Sequence, residues 1–310
     1  MILTVTPNTS MDRTYVVAGF GVDRIHRTAE FTSAPGGKGI NVLRVFKELG
    51  GTGLATGFAG GRVGDSITEG LKREGVPYDF VGTVEESRLC IKIVDPKNGT
   101  QTEINETGPR VSADEVQRLL DKIAELLNGM EYVVLCGNSP PGVPLTFYGE
   151  VIRLAKYKGV KAVLDTSGDQ LREAIKAGPY MVKPNVGELS ELAGRELFTL
   201  EEISGAAKSL KQYGVSVSAV TMGRSGAVVT DGVRTWQAIP PEIEFASAVG
   251  SGDSFVAAFL HSLEAGETLS SALVLGTAAG AANAMTYSAG SCTKGSIMDV
   301  VGGVSLNEIG

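Results

Sequence analysis

The stretch Val249-Gly250-Ser251-Gly252-Asp253-Ser254-Phe255 sets three small residues directly before an Asp. The Asp opens a run with helical apolar spacing at Phe255, Val256, Phe259, Leu260 and Leu263. Small residues leave backbone N–H groups open at a helix N-terminus, where free donors and the helix dipole stabilise an anion. A carboxylate beside such a hole is repelled by the anion it holds. The pairing makes chemical sense when the Asp takes a proton from a hydroxyl that attacks a phosphorus atom in the hole. Capping alone also places an Asp in the first turn of a helix after a Gly-rich turn.

Two further groupings mix glycine with polar side chains. Pro35-Gly36-Gly37-Lys38-Gly39-Ile40-Asn41-Val42 leads into a segment with Val42, Val45, Phe46 and Leu49 apolar, closed by Gly50-Gly51. Lys38 is followed by Gly39, so the loop is not a Walker A element. A Gly-Gly turn lets backbone approach a ligand, and Asn41 in the first helical turn can aim its amide at hydroxyls; a plain turn and helix start fit equally well. In Lys183-Pro184-Asn185-Val186-Gly187-Glu188-Leu189, Lys183 can meet phosphate oxygens while Asn185 and Glu188 hold a hydrated Mg²⁺. A strand end, a Pro and a helix with Glu in its first turn account for the same residues. Cys136-Gly137-Asn138-Ser139-Pro140-Pro141-Gly142 and Thr221-Met222-Gly223-Arg224-Ser225-Gly226 are weaker signals alone.

The elements that must position these groups alternate helix and strand from about residue 110. Apolar positions Val116, Leu119, Leu120, Ile123, Leu126 and Leu127 give a helical face over 113–127. Tyr132-Val133-Val134-Leu135-Cys136 is an unbroken apolar run ending at Gly, the pattern of a buried parallel strand. Helices follow at about 144–157, 169–177, 187–193 and 201–213, with strands at 162–165, 180–183 and 216–221. This rhythm predicts a mostly parallel sheet covered by helices on both faces, with ligands beyond the strands' carboxyl ends. Residues 12–31 and 88–105 break it with short β-like alternations, and Asp95-Pro96-Lys97-Asn98-Gly99 is a hairpin turn. Those pieces predict a small sheet standing off the main one as a lid, within a single domain over 1–310.

Composition narrows the function classes. Of 310 residues, 43% are hydrophobic and 20% charged, which is ordinary globular usage. A net charge of −7 argues against a protein held on nucleic acid by its own field. Three scattered cysteines (Cys90, Cys136 and Cys292) and two histidines supply neither a disulfide framework nor a His-rich metal site. No signal peptide and no apolar run of about 18 residues is visible, so a cytoplasmic protein without a membrane span is expected.

In combination and order, G-G-K-G-x-N near the start, K-P-N-x-x-E mid-chain and G-x-G-D opening a late helix resemble the PfkB (ribokinase-like) carbohydrate kinases. The resemblance covers essentially the whole chain, including residues 6–14 and 102–106, and is strongest to the branch of 1-phosphofructokinases and tagatose-6-phosphate kinases. It implies a ribokinase-like α/β fold, a three-layer α/β/α sandwich with a discontinuous β lid from about 10–34 and 87–107. It implies ATP and Mg²⁺ and a small sugar phosphate as substrate; a lid of two short hairpins has exposed edges, through which a homodimer is expected. Asp253 then falls on the family's base, and Gly250, Ser251 and Gly252 on its anion hole. Asp12, Gly36, Gly37 and Asn41 fall on the sugar, with Lys38 adding charge and Asn138 a hydrogen bond. Arg88 and Arg27, with Arg24 second to it, fall on the substrate's own phosphate. Lys183, Asn185, Glu188, Thr221, Gly223, Gly226, Gly280 and Asn283 fall on the nucleotide, Glu188 and Asn185 reaching its metal through water. The chain departs from the family at Asn138, where Ser is commoner, and at Ser247-Ala248, where an Asp or Asn followed by Thr is usual. Fructose 1-phosphate is the first expectation for the substrate and tagatose 6-phosphate the second. An unphosphorylated sugar or nucleoside, or a non-catalytic sensor, stands further off.

Overall fold

Along the chain, β1 (Ile2–Thr6) leads to β2 (Ser10–Val16) and β3 (Phe31–Gly36), then to α1 (Lys38–Glu48), β4 (Gly53–Gly60), α2 (Gly61–Glu74) and β5 (Val81–Thr83). A hairpin of β6 (Arg88–Asp95) and β7 (Thr100–Asn105) precedes α3 (Ala113–Leu126) and β8 (Tyr132–Cys136). Alternation continues through α4 (Phe147–Tyr157), β9 (Lys161–Asp165), α5 (Gly168–Ala174), β10 (Met181–Val182), α6 (Val186–Ala193), α7 (Leu200–Ser209) and β11 (Val217–Thr221). β12 (Ala227–Thr230), β13 (Thr235–Ile239), α8 (Ser251–Glu264), α9 (Leu269–Ala284), α10 (Lys294–Val301) and β14 (Ser305–Glu308) complete the computed structural model, which describes residues 1–309.

Ten strands form one sheet in the order β14-β13-β12-β11-β10-β9-β8-β1-β4-β5. The pairs from β5 to β11 are parallel, and β12, β13 and β14 add an antiparallel edge. Successive residues of β8 show why the strands read as unbroken apolar runs. Tyr132, Val134 and Cys136 join the hydrophobic cluster under α1, α8 and α9, while Val133 and Leu135 join the cluster under α3 and α4. Side chains alternate between faces, so a strand covered on both sides must be apolar at every position. α3 starts where a capping box dictates: the Ser112 hydroxyl accepts from Glu115 N–H, and the Glu115 carboxylate accepts from Ser112 N–H.

The second sheet has the order β3-β2-β6-β7. Two antiparallel pairs are joined by a parallel β2–β6 pairing that sets Asp12 opposite Cys90 and Thr14 opposite Lys92. Period-two alternation puts Asp12, Thr14, Cys90, Lys92, Glu103 and Asn105 on one face, and all six line the space between the two sheets. Within the first lid segment only its two ends are strand; 17–30 is turns and irregular chain. β3 runs on to Gly36, so a lid strand delivers the Gly-Gly loop straight into α1. Helices expected to reach 177 and 213 end instead in 3₁₀ turns after Ala174 and Ser209. Among the described residues no helix is long and apolar enough to cross a membrane.

Candidate active site

The carboxyl ends of β10 and β11, the first turns of α1 and α8 and the inner face of the lid enclose a cavity of about 1140 Å³. Clefts for one small ligand run to roughly 1,000 Å³, so this one has room for two. α8 begins at its centre. Gly250 takes φ 83°, and a Cβ there would lie 2.7 Å from Ala289 Cα, so both conformation and space require glycine. The helix starts at Ser251, earlier than the sequence pattern suggests, and no side chain caps it. Ser251 N–H is taken by Ala248 O, whereas those of Gly252 and Asp253 have no acceptor among the described residues. Two free donors at a positive helix end are able to hold an anion. The Asp253 carboxylate does not close back on the helix as a cap.

Asp253 is buried, and its Oδ2 accepts a hydrogen bond from Asn41 Nδ2 at 2.9 Å. Burial pushes its carboxyl up to about 6, with the Asp165 charge adding and Lys38, Asn41 and Lys183 opposing. Such a carboxyl is ionised at pH 7 and still a useful proton acceptor. Asp165, fully buried at the end of β9, contacts Lys38 Nζ at 3.1 Å and Lys183 Nζ at 3.3 Å through one oxygen. Burial raises the Asp165 carboxyl, but Lys183 and Lys38 outweigh it and hold it below the ordinary 3.8. Lys38 is raised in turn, chiefly by Asp165. A Cβ on Gly252 would lie 3.3 Å from Lys183 Nζ, so the ammonium sits beside the first turn of α8.

On the lid side, Asp12 folds over Gly36 so closely that a Cβ there would meet the carboxylate within 2.2–2.3 Å. Burial raises the Asp12 carboxyl, and Ser10 and Arg88 oppose. Arg88 donates to Glu106 O and Asn8 O, both at 3.2 Å, and its buried Nε has no partner. Lys92 and Arg13 line the same region. Burial lowers the Lys92 ammonium's proton affinity and raises that of the Cys90 thiol.

On the opposite side, Asn185 and Glu188 cap α6 reciprocally: Asn185 Oδ1 accepts from Glu188 N–H at 2.9 Å, and Glu188 Oε2 from Asn185 N–H at 2.8 Å. Glu188 Oε1 has no hydrogen-bond partner among the described residues, and the residue lines the cavity. One free carboxylate oxygen suits a hard cation that retains most of its water. No group of three or more His, Cys, Asp or Glu able to hold a metal exists among the described residues. Thr221, Gly223 and Gly226 lie at the turn after β11 and Gly280 on α9, beside Ile243, Phe245 and Phe255. Gly226 is forced: φ is 82° and a Cβ would sit 1.9 Å from Ala238 O.

Three expected site residues lie elsewhere. Arg27 is exposed on the irregular 17–30 segment and does not line the cavity. Asn138 turns to Thr166 and Ser167, whose hydroxyls donate to its Oδ1 at 3.1 and 3.2 Å. Asn283, wholly buried, donates to Val249 O at 2.8 Å and accepts from Gly290 N–H at 2.8 Å. It braces the turn ahead of α8 and leaves no edge for a nucleotide. Sequence reasoning missed Asp165, Lys92, Cys90, Arg13 and Arg44. Asp165 carried a signal, as the one charge closing a buried apolar strand. The turn before α8 is also held from the lid: Gln101 of β7 donates to Ala246 O at 3.1 Å and accepts from Ser247 Oγ at 3.2 Å.

A parallel sheet under a four-stranded lid, with a buried carboxyl beside an open helix N-terminus, defines a ribokinase-like sugar kinase. The chain belongs to the pfkB family of carbohydrate kinases, whose description it matches over residues 3–295. It is 35% identical over 286 residues to the 1-phosphofructokinase of Borreliella burgdorferi, covering 92% of each chain. A possible 1-phosphofructokinase from Thermotoga maritima has the same fold, with a TM-score of 0.92 at 28% identity over the full length of both chains. Phosphofructokinase-2 of Escherichia coli, solved with fructose-6-phosphate, superposes with a TM-score of 0.91 at 29% identity over 97% of this chain and 98% of that one.

Proposed function

We propose that the protein transfers the γ-phosphoryl group of ATP to the free primary hydroxyl of a phosphorylated ketohexose, converting fructose 1-phosphate to fructose 1,6-bisphosphate. The observation that carries this is the Asp253 carboxyl, buried, within the field of Lys38 and Lys183, and adjacent to two unused helix N–H groups. Asp12 and Asn41 hold the sugar hydroxyls, and Arg88 and Lys92 face its existing phosphate from the lid. Asp253 takes the proton of the attacking hydroxyl, a contribution of about 10²–10⁴ in rate. The new O–P bond forms as the bond to the β-phosphate oxygen breaks, and ADP leaves. Gly252 N–H, Asp253 N–H and Lys183 stabilise charge on the phosphoryl oxygens in flight. The turn at Thr221–Gly226 and Gly280 seat the nucleoside. Mg²⁺, held by Glu188 largely through water, supplies charge neutralisation on the phosphates when bound.

The preference for fructose 1-phosphate over tagatose 6-phosphate rests on the Borreliella burgdorferi relative. A coupled assay of ADP release across fructose 1-phosphate, fructose 6-phosphate, tagatose 6-phosphate, ribose and adenosine tests it. Fructose 1-phosphate is expected to give the highest kcat/KM; preference for ribose or adenosine defeats the basic-pocket argument. A second copy of the chain is proposed to cover the outer lid, where Phe31 and Ile104 are exposed. Sedimentation velocity checks this, with a dimer expected.

A further inference from the structure

Arg44 of α1 lines the cavity, and three of its five N–H donors are committed to the protein. Its Nε bonds Glu74 Oε2 at 2.8 Å, Nη2 bonds Pro35 O at 2.8 Å, and Nη1 bonds Asn41 Oδ1 at 3.0 Å. All three nitrogens are engaged by the protein. Asn41 is buried, and its other amide atom, Nδ2, faces Asp253 Oδ2 at 2.9 Å.

An amide side chain has an accepting and a donating end of nearly equal size, and only its neighbours decide which way it lies. Asp253, when ionised, only accepts; that alone favours the amino end of Asn41. As the proton arrives on Asp253, the carboxyl gains a donor and the preference weakens. A guanidinium never accepts. Arg44 therefore keeps Asn41 Oδ1 on its own side in both protonation states of Asp253.

We propose that Arg44 is a positioning residue for phosphoryl transfer, locking the Asn41 amide so that it donates to Asp253 Oδ2 throughout the cycle and leaves Oδ1 to the attacking hydroxyl. The inference rests on Asp253 being the base, as proposed above. Asp253 is faced by Lys38 and Asn41 from α1, Asp165 from the end of β9 and Lys183 from beyond β10. No hydrogen bond joins Arg44 to Asp253, so Arg44 reaches it through Asn41. Pro35 and Glu74 anchor the guanidinium to the end of the lid strand and to α2, which fixes its plane.

Steady-state kinetics against pH, on whichever sugar phosphate the wild type turns over, test this with Arg44→Met, Arg44→Gln, Arg44→Lys and Asn41→Ala. Arg44→Met should lower kcat roughly tenfold or more. It should also move the acid limb of kcat/KM upward by about one pH unit, the worth of one hydrogen bond to a charged group. KM for ATP should stay put, and Arg44→Met should add little in an Asn41→Ala background. Arg44→Gln, which can accept as well as donate, should shift the limb in the same direction, and carries the test if Arg44→Met does not fold. Arg44→Lys, still a pure donor, should restore most of the rate. A raised KM for the sugar phosphate with an unmoved acid limb would overturn the proposal, as would additive losses in the double variant. A wild type that transfers phosphate to none of the sugar phosphates, ribose or adenosine refutes the reading of Asp253 as the base, before any variant is made.

Discussion

Replacing Asp253 by Asn should inactivate the protein and stabilise it at once. The carboxyl rises from 3.8 to about 6 on folding, chiefly because it is buried. A folded-state value above the unfolded one means that the folded chain binds this proton more tightly. The stabilisation is then complete below about pH 4 and is lost as pH rises through about 6. A shift of about two units corresponds to about 3 kcal/mol lost between those limits. Asn keeps an acceptor for Asn41 Nδ2 and carries no charge to bury, so Asp253→Asn escapes the loss. At pH 8 the variant should melt roughly 5 °C above wild type, with the gap closing towards pH 4, while kcat falls by roughly 10²–10⁴. Calorimetry at pH 4.5, 6 and 8 and the coupled ADP assay read both effects. A variant that melts no higher than wild type at pH 8 refutes the burial argument, and one that retains activity within tenfold refutes the assignment of the base.

Gly36→Ala places a methyl where the Asp12 carboxylate lies, so Kd for the sugar phosphate should rise at least about tenfold with ATP affinity unchanged, as isothermal titration with each ligand reads. Asn283→Ala strips Val249 O and Gly290 N–H of a buried partner. It should cost about 2–3 kcal/mol in urea unfolding and lower kcat through the slackened turn. Arg88→Met should weaken the sugar phosphate by about tenfold or more while leaving unphosphorylated sugars unaffected, since a charge-assisted contact is worth about 1.5–3 kcal/mol; equal weakening of both would deny Arg88 the phosphate.

The strands from β8 to β11 and their helices were legible because burial on both faces imposes unbroken apolar runs, as at Tyr132–Cys136. The open N-terminus of α8 was legible as well, because small residues at 250–252 precede Asp253 and a helical apolar spacing; that Gly250 must be glycine came only from its φ and its distance to Ala289. Convergence was not. The parallel pairing of β2 with β6, which brings Asp12 beside Cys90 and Thr14 beside Lys92, joins residues from distant parts of the chain with no turn to announce it. Asp165, Lys38 and Lys183 likewise meet only once the ends of β9 and β10 lie beside the start of α1. Arg27 and Asn138 sit in segments with the expected motifs, yet their side chains turn to solvent and to Thr166. Asn283 illustrates the opposite error. A polar residue on a helix beside the cavity invites a ligand, and the backbone of Val249 and Gly290 claimed it first.

Gln101 changes how the lid should be regarded as a part. Its carboxamide bonds Ala246 O and Ser247 Oγ, so a side chain on the lid's last strand supports the turn that leads into the proposed phosphoryl hole. The two pieces are not interchangeable modules. A chimera that grafts another family member's lid onto this core brings a new residue against Ser247, and one that restores Asp-Thr at 247–248 leaves Gln101 facing a carboxylate. Exchange of sugar preference by lid transplantation should therefore succeed only when positions 101 and 247 travel together.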